Sequence, residues 1–206
     1  MIKAVIFDVG GVLIRTEDPS PRRRLEDRLG LAPGQAEFIV FNSERGRAAQ
    51  LGQITSAQLW DGVQDELGLD ADGLRRFRDE FFGGDVLDRA LIDFIRALRG
   101  RYTTAIISNY MDELPHLLTH VHAVADAFDL IVVSAQERIM KPDAEIFQRT
   151  LSRLNLRPEE TVFIDDFAHN VEGALAVGMR AIHFTPGIEW RAALAGEGVE
   201  IGGLGD

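Results

Sequence analysis

Four short stretches of this chain carry side chains able to do chemistry: Asp8 ahead of Gly10-Gly11, the pair Ser108-Asn109, Lys141 before Pro142, and the pair Asp165-Asp166. Carboxylates drawn into one crevice repel one another unless a cation is present, and hard oxygen ligands select Mg²⁺. Lys141 would offset the remaining charge and hold an anion, to which Ser108 can donate a hydrogen bond. Such a site suits transfer of a phosphoryl group to a carboxylate. Taken singly, each stretch has an ordinary reading: an Asp after a strand caps a helix, Ser-Asn makes a turn, Lys-Pro forms a surface junction. The chemistry depends on their convergence.

The elements around them predict that convergence. The apolar run from Lys3 to Phe7 reads as a buried strand that delivers Asp8 into a glycine turn. Further strands are expected at Thr103–Ile107, Leu130–Val133, Thr161–Ile164 and Ala181–Phe184, separated by helical periodicities at Val86–Leu98, Asp112–Val121, Ile146–Leu151 and His169–Val177. This alternation argues an α/β fold, a doubly wound and mostly parallel sheet, in which all strand carboxyl ends share one edge. Neighbouring strand residues point to opposite faces, so Asp165 and Asp166 serve one metal only if the chain turns there. Asp166 is expected to bind directly and Asp165 through water or a hydrogen bond.

Residues 15–85 change character, with charged helical periodicities and no convincing strand. Pro33 marks one helix start, Thr55 caps another, and Asp70 or Asp72 opens a third that carries Leu74, Phe77, Phe81 and Phe82. The expected organisation is a core from 1–14 and 86–206 with a small helical cap from 15–85. The Gly-rich tail after Ala195 reads as loosely held.

Composition narrows the function. A net charge of −11 opposes nucleic-acid and anionic-membrane partners. Cysteine is absent, which excludes disulfides and thiolate chemistry and suits a cytoplasmic setting; no signal peptide or membrane-spanning run is visible. Only two of the 22 basic residues are lysines, Lys3 and Lys141, which singles out Lys141. Oligomeric state is left open.

In order along the chain, Phe7-Asp8-Val9-Gly10-Gly11-Val12, Ile107-Ser108-Asn109, Lys141-Pro142-Asp143, and Phe163-Ile164-Asp165-Asp166 with Asn170-Val171-Glu172-Gly173-Ala174 resemble the four motifs of the haloacid dehalogenase superfamily. Within it the chain is most similar to small bacterial phosphatases of the α-D-glucose-1-phosphate phosphatase type, which share the glycine after the nucleophile and a turn like Gly52-Gln53-Ile54-Thr55. The resemblance implies a Rossmann-like core with Asp8 as nucleophile and Mg²⁺ held by Asp8, the Gly10 carbonyl and Asp166, with Asp165 in support. It further implies Ser108 and Lys141 on the phosphoryl oxygens, Asn109 close to the transferring group, and a small phosphorylated metabolite, sugar phosphates included, as substrate. Glu44 and Arg45 in the cap are carried as substrate contacts, with surface salt bridging as the competing reading.

The chain departs from the pattern at Gly10, where most phosphatases of the superfamily keep an acid-base aspartate. General acid-base help is worth ~10²–10⁴ in rate. His169, Tyr110 and Glu44 are candidates to replace it. Two alternatives stay open: a metal-independent 2-haloacid dehalogenase, against which the Asp165-Asp166 pair argues, and a binding module without turnover. His116 and His120, at i,i+4 spacing, read as a polar helix face rather than a zinc site, and Arg22-Arg23-Arg24 as a solvated helix start.

Overall fold

Strand β1 (Ala4–Phe7) runs through the middle of the molecule with all four residues fully buried. In the computed structural model, which describes residues 1–202, it is flanked by β4 (Thr103–Ser108) on one side and β6 (Thr161–Asp165) on the other. With β5 (Leu130–Val133) and β7 (Arg180–His183) these make a five-stranded sheet of order β5-β4-β1-β6-β7, parallel throughout. Phe7 lies opposite both Ile106 and Ile164, which fixes the register of the three central strands. Asp8, Ser108 and Asp165 therefore leave the sheet at one edge, where the strand order switches sides.

Side chains alternate across the sheet, as the two-residue period of a strand requires. Val5, Phe7, Ile106 and Ile164 pack on one face with Leu91, Ile95 and Leu98 of the helix Arg89–Leu98. Ile6, Ala105, Ile107 and Phe163 pack on the other with Ile146, Phe147 and Leu151 of the helix Ala144–Leu154. Both faces are covered, which explains why β1 is apolar at every position and why the middles of β4 and β6 are apolar too.

Strands stand at both ends of the 15–85 stretch, where its sequence predicts none. Ile14–Thr16 and Asp85–Leu87 form β2 and β3, a short antiparallel pair through which the chain leaves and re-enters the sheet region. Three residues are too few to show an alternating pattern, so neither strand was legible, and the helix expected from Val86 begins instead at Arg89 behind the N-cap Asp88. Between the two strands, the helices Ser20–Leu29, Glu44–Gln50, Ser56–Leu67 and Ala71–Phe82 enclose an apolar cluster of their own, with Leu25, Val40, Leu59, Val63, Phe77 and Phe81 buried. Thr55 caps through a reciprocal box with Gln58, and Asp70 rather than Asp72 caps the last helix, accepting from the Gly73 N–H at 2.7 Å.

The helix expected from Asp112 to Val121 starts at Leu114 and runs without interruption, its winding widening from α at Leu114–His116 to π at Leu117–Val121. Just before it, Met111 is buried in the insert's cluster. The tail is better held than its glycines suggest: Trp190–Gly196 is helical, Val199 is buried, and the Glu200 N–H donates to the Tyr102 hydroxyl at 2.7 Å. The rest of the tail, residues 203–206, lies outside the described residues. Among the described residues no helix is long and apolar enough to cross a membrane.

Candidate active site

Asp8 follows the last residue of β1, and its N–H still donates to the Ile164 carbonyl at 2.9 Å, so β6 fixes its backbone. Its Oδ1 accepts from the Val9 N–H at 2.7 Å and lies 2.9 Å from Lys141 Nζ. The chain then doubles back: the Leu13 and Ile14 N–H groups both donate to the Val9 carbonyl, and the Gly11 N–H donates to that of Ile14. Gly11 has φ +72°, and a Cβ there would stand 2.0 Å from Asp166 Oδ2. Glycine is required twice over, by the left-handed backbone and by the carboxylate packed against it.

Lys141 reaches the cluster from the segment between β5 and the helix Ala144–Leu154. Its side chain is fully buried, 2.9 Å from Asp8 Oδ1 and 2.6 Å from Asp165 Oδ2, with the ammonium 5.3 Å from the Phe163 ring centre. Asn109 holds its backbone at both ends. The Asn109 amide nitrogen donates to the Lys141 carbonyl at 2.9 Å, while its oxygen accepts from the Lys141 N–H at 2.8 Å.

The two aspartates at the end of β6 have opposite surroundings. Asp165 Oδ1 accepts from the Phe167 N–H at 2.8 Å and from Asn170 Nδ2 at 3.0 Å, and its Oδ2 takes Lys141 and a second contact to Asn170 at 3.1 Å. Asp166 Oδ1 is buried with no hydrogen-bond partner. Asp8, Asp165 and Asp166 each offer an oxygen within 4.8 Å of the others.

One buried lysine cannot neutralise three carboxylates. Burial, opposed by Lys141 and assisted by Asp165, pushes the Asp8 carboxyl up to about 7, and burial together with Asp165 raises Asp166 to about 6. An all-oxygen donor set with an orphaned carboxylate oxygen and excess negative charge fits a hard dication such as Mg²⁺.

The family described as hydrolase, haloacid dehalogenase-like hydrolase, matches residues 2–178. The chain belongs to the haloacid dehalogenase-like hydrolases. A sesquiterpene phosphatase of Aspergillus oryzae is 31% identical over 189 residues, covering 89% of this chain and 90% of that protein. A D-ribitol-5-phosphate phosphatase of Bacteroides thetaiotaomicron is 25% identical over 204 residues, covering 94% of this chain and 97% of its own length. A solved structure of a family enzyme from the same bacterium, crystallised with magnesium and inorganic phosphate, superposes with a TM-score of 0.78 at 24% identity, over 94% of this chain and 99% of that one, and so shares the fold.

In this haloacid dehalogenase-like hydrolase Ser108 is buried at the end of β4, beside the strand that bears Asp8. Glu44 and Arg45 stand elsewhere. They line a shallow depression on the insert with Ser43, Ala48, Ile54, Gln58 and Glu66, to which none of the three aspartates contributes, and Arg45 pairs with Glu66 at 3.1 Å. Of the residues considered in place of an aspartate at Gly10, His169 is exposed with its ring 5.4 Å from that of Phe167. The Tyr110 ring packs 5.9 Å from Phe41, and burial, with Glu113 nearby, raises its hydroxyl well above the usual range. His116 and His120 are an exposed pair, 4.8 Å between rings.

Two contributions escaped the sequence reading of this hydrolase. Asn170 is part of the quoted motif, but its grip on Asp165 was not foreseen; the signal is an amide five residues beyond a carboxylate, across the start of the helix Ala168–Ala176. The clasp of Asn109 on Lys141 joins residues 32 apart in the sequence and carries no local signal.

Proposed function

We propose that this hydrolase is a Mg²⁺-dependent phosphatase, acting on a small phosphorylated metabolite through an aspartyl-phosphate intermediate. The observation that carries the reading is the contrast between Asp165, whose oxygens are occupied by Lys141, Asn170 and the Phe167 backbone, and Asp166, whose buried Oδ1 has no partner. Asp8, the Gly10 carbonyl and Asp166 would hold the cation, and Asp165 would act from behind by fixing Lys141.

Asp8 is anchored through Oδ1 by Val9 and Lys141, which assigns the attack on phosphorus to Oδ2. Lys141 and Ser108 hold the phosphoryl oxygens in line, and Asn109 positions Lys141. As the Asp8 oxygen bonds to phosphorus, the bond to the departing oxygen breaks and its electron pair leaves with that oxygen. Water then attacks the same phosphorus, releasing inorganic phosphate and restoring the Asp8 carboxylate. Bound Mg²⁺ supplies positive charge where the carboxylates would otherwise repel the phosphate.

Residues 15–85 act as a cap that selects the substrate, with the depression around Glu44 and Arg45 as an outer contact. The phosphatase relatives support a phosphoric monoester, and the resemblance to glucose-1-phosphate phosphatases favours a sugar phosphate.

The test is hydrolysis of p-nitrophenyl phosphate with and without Mg²⁺ by wild type and Asp8→Asn. Mg²⁺-dependent turnover lost in Asp8→Asn is expected. Equal rates in the two proteins, or full activity in EDTA, would sink the reading; halide release from a 2-haloacid would replace it with a dehalogenase, and absence of turnover across a phosphometabolite panel with a binding module.

A further inference from the structure

The departing oxygen needs a proton or must leave as an anion, and the groups around Asp8 show which. Lys141, engaged with a non-bridging phosphoryl oxygen in the proposed mechanism, is held between two carboxylates. Asp165 is saturated. Ser108, buried at the end of β4, is likewise engaged with a non-bridging phosphoryl oxygen. The Tyr110 ring is packed against Phe41, and its N–H and carbonyl are both held by Ser134 Oγ, at 3.0 and 3.2 Å. The histidines near the end of β6 are directed elsewhere, His169 to the Phe167 ring and His183 Nε2 to the Asp166 carbonyl at 2.9 Å. Gly10, two residues beyond Asp8, is exposed, and a Cβ built on it meets nothing within 4 Å. The turn beside Asp8 thus leaves open space where an acid could stand.

We infer that the leaving group departs from this site without protonation by the protein, so that the enzyme is selective for phosphates whose released oxygen is stable as an anion. This rests on the phosphatase reading. The class comprises acyl, enol, aryl and anomeric sugar phosphates, in which a carbonyl, a conjugated system or the ring oxygen withdraws charge; phosphates of simple primary alcohols are poor substrates. In the first step the P–O bond breaks as the Asp8–phosphorus bond forms, and the leaving oxygen carries off the electron pair and takes its proton from water. In the second step a water molecule adds to phosphorus and its released proton goes to solvent, so charge and atoms balance without a further reactant.

The leaving group's acidity therefore sets the rate. The experiment measures kcat/KM at fixed pH and Mg²⁺ for acetyl phosphate, a series of substituted phenyl phosphates and an alkyl phosphate, using wild type, Gly10→Asp and Gly10→Asn. Wild type and Gly10→Asn are expected to fall steeply along the series. Gly10→Asp, which places a proton donor in open space, should narrow the gap between alkyl and aryl esters by about 10²-fold or more, within the range that a positioned acid supplies. A flat wild-type profile overturns the inference and leaves the phosphatase reading intact, as does a Gly10→Asp profile no shallower than that of Gly10→Asn. Turnover of no phosphate at all overturns both.

Discussion

The side-chain amide of Asn109 grips the backbone of Lys141 at both its N–H and its carbonyl, at 2.8 and 2.9 Å, and so joins the end of β4 to the base of the buried lysine. Replacing Asn109 by Ala leaves two partly buried backbone groups unpaired, at about 1–3 kcal/mol each before water compensates. We expect Asn109→Ala to lower kcat by 10-fold or more with a smaller change in KM, because Lys141 is displaced rather than removed. Steady-state kinetics on p-nitrophenyl phosphate decides; an unchanged kcat would show that the clasp does not position the lysine.

Asp8→Asn should separate activity from stability. Asp8 titrates near 7 in the folded chain because burial, partly offset by Lys141, disfavours its charge, whereas in the unfolded chain it ionises near 3.8. Its folded value is raised, so ionisation opposes folding increasingly as the pH rises from about 4 to about 7, and the whole penalty is present above that. Metal-free Asp8→Asn is therefore expected to be inactive yet to melt higher than metal-free wild type at pH 8, with little difference at pH 4. Thermal melts in EDTA at the two pH values test the sign.

Mg²⁺ binding should register without turnover. A ligand that binds only the folded chain stabilises it by about 2.7 kcal/mol at a hundredfold excess over its dissociation constant. Wild type should melt several degrees higher as Mg²⁺ is added, whereas Asp166→Asn, lacking the orphaned carboxylate oxygen, should lose most of that shift. A shift preserved in Asp166→Asn would remove Asp166 from the metal site.

Acid stability should depend on Glu160. Hydrogen bonds from Arg157 and from Lys3, with the Arg157 N–H, hold its carboxyl down to about 2. A depressed folded value means the contribution is fully present above the unfolded value of about 4.5 and is lost as the pH falls toward 2. Glu160→Gln should lower the melting temperature at pH 7 and converge on wild type near pH 2, in melts followed by circular dichroism.

Gly52→Ala probes how the insert meets the sheet. Gly52 has φ +62°, and an added Cβ would lie 2.0 Å from the Ala135 carbonyl oxygen. Alanine in that backbone conformation costs more than about 1 kcal/mol before the clash is counted, so a lowered denaturation midpoint in urea is expected. An unchanged midpoint would mean the contact relaxes freely.

Much of the architecture was legible because it rests on periodicity. The strand from Leu130 to Val133 is legible to the residue, and parallel strands alone bring Asp8, Ser108 and Asp165 to one edge, whereas Lys141 arrives from the segment beyond β5 and the helical turn Ser134–Glu137. What could not be read depends on contacts distant in sequence or on elements too short to have a period. β2 and β3 are three residues each. The differing surroundings of Asp165 and Asp166 were anticipated from the need for a turn, but the identity of the partners, Asn170 and the Phe167 N–H, was set by where the helix Ala168–Ala176 begins. Glu44 and Arg45 were chosen for their charge, which says nothing of the direction in which a surface residue of the insert faces.

Directly after Asn109, Tyr110 and Met111 leave the sheet edge and enter the apolar interior of the insert, while Asp112 accepts from the Ser56 N–H at 3.0 Å and Glu113 lies 3.4 Å from Arg78. The insert is therefore not a severable module. Cutting it away would strip the cover from Met111, and swinging it as a rigid body would draw on the chain at Asn109 and, through Asn109, on Lys141. Graft or deletion variants intended to exchange substrate preference must carry the Tyr110–Glu113 segment with them, or they will retune the lysine along with the pocket.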